Sequence, residues 1–413
     1  MPPKKASTNQ KRKAFTHAES TWNGTKRSRS NSSTHLLRAP HPKAQESEEN
    51  GIVLRKYYPH EMSNARALAY KNGQLTRPIE LLNSALKKTK EEREKIQVED
   101  AVVHWFKCDL RTRDNNSLHL ASEKAKEKGV PLIAMYIVSP QDFEAHLTAP
   151  VRVDFILRTL EVLKDDLAKL DIPLYVEAVE KRKSIPNRIL ELLGEWGANH
   201  LFTNVEYEVD ELRREARLVK SCLEKGIAMD VVPDTCVISP GDLASGTGRQ
   251  YSVYSPWFRA WIAYVHNHVT VLDLFDQPGK NPESAREKFA KLFESKIPSA
   301  PGNKQLSEEE KERFRSMWPP GEHEAHERLK RFCDERIGEY SDNRNFPAKG
   351  ATSSLSVHLA SGTLSARTCI RTARDHNSTT TLNGGNQGIQ TWISEVAWRD
   401  FYKHVTAHWP HVW

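Results

Sequence analysis

Between Thr352 and Tyr402 the 413-residue sequence sets two unlike motifs side by side. A hydroxyl cluster, Thr352-Ser353-Ser354-Leu355-Ser356, precedes the run Trp392-Ile393-Ser394-Glu395-Val396-Ala397-Trp398-Arg399-Asp400-Phe401-Tyr402. At about 100° per helical residue, Trp392, Glu395, Trp398, Arg399 and Tyr402 are expected within an arc of roughly 120° on one helix face. A stripe that only filled a core would be Leu, Ile and Val. Indoles beside a carboxylate and a guanidinium suit a flat ligand with polar edges. Hydroxyls at a helix start, together with its unpaired N–H groups, can hold a pyrophosphate; the plainer role for Thr352 or Ser353 is a helix cap worth about 1 kcal/mol. The plainer role for the later helix is an i,i+4 pair of Glu395 with Arg399, worth about 0.2–0.5 kcal/mol, beside two core tryptophans.

Two further motifs extend the pattern. His104-Trp105-Phe106 is followed by Asp109-Leu110-Arg111 and Asp114-Asn115, and Tyr251-Ser252-Val253-Tyr254-Ser255-Pro256-Trp257-Phe258-Arg259 lies midway. In this order, from about residue 101 to the end of the chain, the motifs resemble the photolyase/cryptochrome flavoproteins. Within that family they resemble the class I, fungal-like DNA photolyases that split cyclobutane pyrimidine dimers. The resemblance implies FAD as cofactor, a folate antenna (methenyltetrahydrofolate) and DNA containing pyrimidine dimers as partner. Residue by residue it assigns FAD contacts to Tyr340, Thr352, Ser353, Ser354, Leu355, Ser356, Trp392, Glu395, Arg399 and Tyr402. Trp398 would stack on the lesion and Glu395 would accept hydrogen bonds from pyrimidine edges, and these two are the expected catalytic pair. Arg249, Arg259, Trp398, Arg399 and Lys403 are the expected DNA contacts, with the cations on phosphates. Asp210 and Glu211 occupy the antenna positions; Asp210 replaces an amide found in some members, and a helix-start charge pair is the competing reading. Asp114 and Asn115 are expected to cap a helix. The implied chemistry is light-driven electron donation from reduced flavin, ring splitting and return of the electron, on a base pair drawn out of the stack.

These residues need a scaffold, and the sequence outlines one. Strand-like runs at 101–106, 131–139, 173–177, 200–204 and 229–232 alternate with amphipathic helices, the clearest at 152–170 with Ile156, Leu160, Leu163, Leu167 and Leu170 at spacings of three and four. That alternation predicts an α/β domain with a parallel sheet buried on both faces. Beyond Pro320 the signals are helical, at 325–340, 364–375 and 390–407. The expected fold class is therefore α/β then all-α: a Rossmann-like antenna domain, a long linker and a partial helical FAD-binding domain. The expected boundaries are a disordered basic tail at 1–53, a helical extension at 54–97, the antenna domain at 98–235, the linker at 236–322 and the flavin domain at 323–413. Gly, Ser and Pro between 239 and 256 and the loop-like stretch 278–301 suggest the linker.

Charge and composition narrow the function. The formal charge of +7 and pI near 9.0 favour a polyanionic partner. Ten Lys or Arg against one acid in residues 1–43 place much of that basicity in the tail, where Lys11-Arg12-Lys13 and Lys26-Arg27-Ser28-Arg29 suggest a nuclear address, with mitochondrial targeting as the alternative. Five cysteines without CxxC spacing read as reduced thiols, and no zinc site is implied. Apolar runs are too short to cross a bilayer, so a soluble, intracellular monomer is expected. The family continues beyond the Trp398 helix. The chain is therefore expected to be C-terminally shortened, to hold FAD weakly and to repair little. A cryptochrome-like blue-light photoreceptor and a catalytically silent DNA-binding remnant are the alternatives; Glu395 with Trp398, and the basic tail, favour repair.

Overall fold

The computed structural model describes residues 63–346, 348 and 350–412, so the expected tail and the first part of the helical extension lie outside the described residues. The chain then runs α1 (Asn64–Lys71), α2 (Pro78–Arg93), β1 (Ala101–Phe106), α3 (Asn116–Lys128), β2 (Leu132–Val138), α4 (Pro140–Ala145), α5 (Pro150–Ala168), β3 (Leu174–Ala178), α6 (Ile185–Glu195), β4 (Ala198–Asn204), α7 (Val209–Glu224) and β5 (Ala228–Val232). All strand pairings are parallel, in the order β3-β2-β1-β4-β5. β1, β2 and β4 are buried along their whole length, as central strands are when helices cover both faces. The order reverses between β1 and β4, and the crevice beyond their carboxyl ends is where open sheets of this kind bind ligands.

The two sheet edges are dealt with differently. At β3, Ser295 from the linker side accepts a hydrogen bond from Val176 N (2.9 Å) and donates one to Val176 O (3.1 Å), so an edge strand's free groups are partly paired. Beside β5, Arg93 at the end of α2 pairs with Asp230 of the strand, while Leu82 and Ala85 of α2 enter the same core as the sheet.

After β5 come α8 (Tyr254–Asn267), α9 (Glu308–Met317), α10 (Glu322–Glu335), α11 (Ser356–Ser361), α12 (Ala366–Asp375) and α13 (Gln387–His408). A second core joins Trp257 and Trp261 of α8, Leu329 and Phe332 of α10, Cys369 and Ile370 of α12, and Trp392, Ile393, Val396, Ala397 and Phe401 of α13. This revises the expected linker at 236–322. Within it lies α8, whose buried Trp257, Trp261, Ile262 and Val265 make that helix part of the second core. The α10 helix also stops earlier than expected: after Glu335 the backbone passes through a 3₁₀ turn, Ile337–Glu339, into the single helical turn Tyr340–Asn343.

The two cores meet across a buried polar seam. Asn115 caps α3 by accepting from Leu118 N, but Asp114 does not cap: its φ of 52° turns its carboxylate towards α12, where Ser365 Oγ and Arg367 Nε donate to it. Arg111 and Arg367 both pair with Asp234, and Glu322 at the start of α10 accepts from Thr112 N (2.8 Å), Thr112 Oγ1 (3.0 Å) and Arg113 N (2.9 Å). Gly362 ends α11 in the left-handed region, at φ 75°, pressed against the backbone of Cys108 and Asp109. A Cβ there would run into the Cys108 carbonyl. Gly362→Ala is accordingly expected to cost about 1–3 kcal/mol through backbone strain and a displaced seam, read as a lower midpoint in urea unfolding.

Candidate active site

The α13 helix carries the key side chains. Asn386 caps it, accepting from Ile389 N, and it runs unbroken for 22 residues. Along that length its surroundings change, so the five residues expected on one face do not share one environment. Trp392 is buried, 5.3 Å from Phe332, which itself meets Tyr340 edge-on at 5.7 Å. Glu395 is about 40% exposed and pairs with Arg344, a residue that no sequence pattern singles out because it sits just past a one-turn helix. Trp398 is half-buried and lies flat on Tyr254 of α8, with ring centroids 3.5 Å apart and planes 9° apart. Tyr402 is 59% exposed and 5.5 Å from Trp398, so it belongs to the outer, Trp398 end of the helix and not to the Trp392–Tyr340 end where a cofactor contact was expected.

Two expected contacts are redirected by the docking of the two halves. Arg399 does not pair with Glu395 in an i,i+4 bridge; it donates to the Thr235 carbonyl just after β5. Lys403 pairs with Glu208 at the start of α7, so it ties α13 to the α/β half instead of offering an open ammonium to DNA. Burial works against the charged Lys403, but Glu208 holds its pKa above the ordinary lysine range. Arg249 and Arg259, by contrast, are exposed. Between Arg399 and Lys403 on α13, Asp400 is fully buried and accepts from Val237 N (2.8 Å) and Trp261 Nε1 (3.4 Å); burial pushes its carboxyl up to about 6.

The hydroxyl cluster leads into α11 but does not cap it. The cap position is Leu355, with no side-chain cap bond, and Leu355 itself is 1% exposed in the second core with Trp392, Tyr340 and Trp398. Thr352 and Ser353 are half-buried, Ser354 and Ser356 are exposed, and Ser354 takes a left-handed φ of 52°. The side chains of Thr352, Ser353 and Ser354 make no hydrogen bond among the described residues. A helix cap would have used one of these hydroxyls. Left unpaired next to Leu355, which packs in the same core as Trp392 and Tyr340, they are a donor set that fits the phosphates of a dinucleotide.

A separate cavity of about 290 Å³ opens at the carboxyl ends of β1 and β2, at the sheet's reversal. Trp105, Phe106, Tyr136 and Phe143 supply apolar walls, and Arg152, Glu206 and Glu211 supply charge. Of the two expected antenna residues, Glu211 lines it and Asp210 does not. Both stand in the first turn of α7, where Arg182 bridges Asp210 at 2.9 Å and Asp142 at 2.7 Å, and His146 meets Glu211 at 3.0 Å. Burial favours a neutral Glu211, yet the His146 bond and Arg214 outweigh it and hold the carboxyl at about 2. Lys107, in the lining, pairs with the buried Glu215 behind it. His146 and Arg152 were missed in the sequence; their only signal was position after a strand's carboxyl end.

Residues 102–276 match the family model for DNA photolyase. Over 386 residues the chain is 62% identical to the deoxyribodipyrimidine photo-lyase of Neurospora crassa, covering 92% of this chain and 63% of that protein. It is 33% identical over 314 residues to the deoxyribodipyrimidine photo-lyase of Vibrio cholerae, covering 75% of this chain and 62% of the relative. A mitochondrial deoxyribodipyrimidine photo-lyase of Saccharomyces cerevisiae is 28% identical, with 88% and 66% covered. Among solved structures, a class III photolyase from Agrobacterium tumefaciens superposes with a TM-score of 0.60 at 23% identity, covering 76% of this chain and 60% of that one, which speaks to the fold. The chain thus spans a little under two thirds of the length of the curated relatives it matches. By its matched domain and its likeness to the Neurospora protein across nearly its whole length, the chain belongs to the DNA photolyase family.

Proposed function

We propose that this chain carries the machinery of a deoxyribodipyrimidine photolyase, which repairs cyclobutane pyrimidine dimers in DNA by light-driven electron transfer with FAD as cofactor. The observation that supports this most is the outer stretch of α13, where an accessible carboxylate, Glu395, stands one helical turn from a half-buried indole, Trp398. An indole face is a stacking platform for an everted base, and the carboxylate accepts from the pyrimidine edges. The residues that would hold FAD are Thr352, Ser353, Ser354 and Ser356 for the phosphates, with Tyr340, Leu355 and Trp392 as the apolar wall. When bound in reduced form, FAD supplies the photoexcited electron donor. Trp398 and Glu395 hold the lesion, while Arg249 and Arg259, both exposed, contact backbone phosphates.

We take a folate-type antenna to bind in the cavity beside Glu211, whose aromatic walls and Arg152, a guanidinium that makes no ion pair among the described residues, suit such a ligand. The reading also takes the protein as nuclear, on the strength of the basic clusters in the tail. The direct test is loss of thymine dimers from an oligonucleotide in blue light against darkness, with the chain reconstituted with reduced FAD. Light-dependent loss is expected. Dimers left intact in the light, while the DNA is bound, would instead assign the chain to a photoreceptor or a silent binder. Binding should also weaken with salt, at a slope of about −0.9 per phosphate contacted on duplex DNA.

A further inference from the structure

Trp398 does not stand alone. Tyr254 lies on it at 3.5 Å and 9°, Phe258 follows Tyr254 at 5.3 Å and 14°, and Trp261 follows Phe258 at 6.0 Å and 19°. The result is a column of nearly parallel rings that starts at the surface of α13 and ends at a fully buried indole on α8. Tyr254 is also the ring with a tether. Its Oη donates to the Ser394 carbonyl at 2.7 Å and lies 2.8 Å from Ser394 Oγ. Ser394 is one helical turn before Trp398 on the same helix, so α8 grips α13 at the turn that presents the indole.

We propose that Tyr254 is a positioning residue for lesion binding: tethered to Ser394, it covers one face of the Trp398 indole and fixes its orientation, leaving only the opposite face for an everted pyrimidine. This rests on the repair reading above. A half-buried indole on a helix surface has several rotamers, and ordering it at the moment of binding would weaken the complex. Tyr254 does that ordering in advance. Filling space would need only the ring; the hydroxyl bonds define where the ring sits along α13, which is what a stacking platform requires. One face stays closed by tyrosine, so a single base, or one dimer, docks in a single sense.

The test is binding in the dark to matched oligonucleotides with and without one thymine dimer, using Tyr254→Leu and Tyr254→Phe, each alone and combined with Trp398→Ala. Tyr254→Leu is expected to lower affinity for the dimer about 5- to 10-fold and Tyr254→Phe about 2- to 3-fold, with undamaged DNA changed less than twofold. In the Trp398→Ala background both effects should vanish, because Tyr254 acts only through that indole. A loss that is equal on both DNAs, or that persists without Trp398, overturns the proposal. If Trp398→Ala itself leaves dimer preference intact, it is the repair reading that falls, and the positioning role falls with it. Should the leucine variant fail to fold, the isosteric Tyr254→Phe cycle decides the matter alone, and an unchanged dimer preference there counts against the role.

Discussion

Replacing Asp234 by Ala is expected to cost the folded chain about 3–5 kcal/mol, the usual consequence of leaving buried charge without its partner. Asp234 follows β5 and its side chain is almost wholly buried, as are those of Arg111 and Arg367, which both pair with it. Asn116 N also donates to it, at 3.2 Å. Asp114 accepts from Arg367 Nε at 3.0 Å and is the only other carboxylate within the seam's hydrogen bonds to these guanidiniums among the described residues. Two guanidiniums are therefore balanced by two carboxylates; deleting Asp234 leaves one charge uncompensated where water cannot reach. Asp234→Asn keeps the shape and the donor-side packing but not the charge, and should fall between the wild type and Ala. The pH dependence carries a sign. Burial favours the neutral acid, but Arg111 and Arg367 outweigh it and hold the folded carboxyl below its ordinary value of about 3.9. The stabilisation is therefore complete above that ordinary value and fades as pH falls through the lower, folded one, because the unfolded chain takes up the proton first. Urea unfolding at neutral pH and near pH 3 reads both parts. A neutral-pH loss under about 1 kcal/mol in Asp234→Ala would mean the seam does not depend on this pair.

That seam also marks the limit of what could be read from the sequence. The strands announced themselves as short, largely apolar runs alternating with helices of the right length, the central β1, β2 and β4 buried throughout and the edge strands β3 and β5 in part. The α13 helix was equally legible, since its aromatic and charged residues recur with helical spacing. What those side chains touch was not. Arg399 reaches Thr235 across 164 residues of chain, and Lys403 reaches Glu208 across 195. Both contacts are decided by how the helical half docks on the sheet, which no local pattern encodes. Asp114 looked like a cap for the same reason: cap preference is local, whereas its left-handed φ answers to Arg367 and Ser365 on a distant helix. The α8 helix was hidden differently, by the Gly, Ser and Pro that fill the residues just before it. Its tryptophans at i and i+4 were the available signal, and the second of them, Trp261, proves to be the inner end of the column that supports Trp398.

The docking that redirected Arg399 and Lys403 leaves Glu395, Trp398 and Tyr402 as the outward-facing set on α13, with Glu395 held by Arg344. Of these, Trp398 should carry most of the discrimination between damaged and intact DNA. Stacking on an aromatic side chain is worth on the order of 1–3 kcal/mol per base, so Trp398→Ala is expected to weaken binding to dimer-containing DNA by about 10- to 100-fold. Undamaged duplex keeps its bases paired and stacked, never reaches the indole, and binds through phosphate contacts at residues such as Arg249 and Arg259. Its affinity should change by less than about twofold, and the salt slope should stay the same on both DNAs, because no phosphate contact has been removed. Trp398→Phe, which keeps a smaller aromatic face on Tyr254, should recover part of the loss, whereas Trp398→Leu, of comparable apolarity but without a face, should not. Titration of both oligonucleotides at two salt concentrations provides the measurement. Equal losses on damaged and intact DNA would make Trp398 a general contact, and full recovery by leucine would make it a spacer; either result would remove the stacking platform on which lesion recognition by α13 depends.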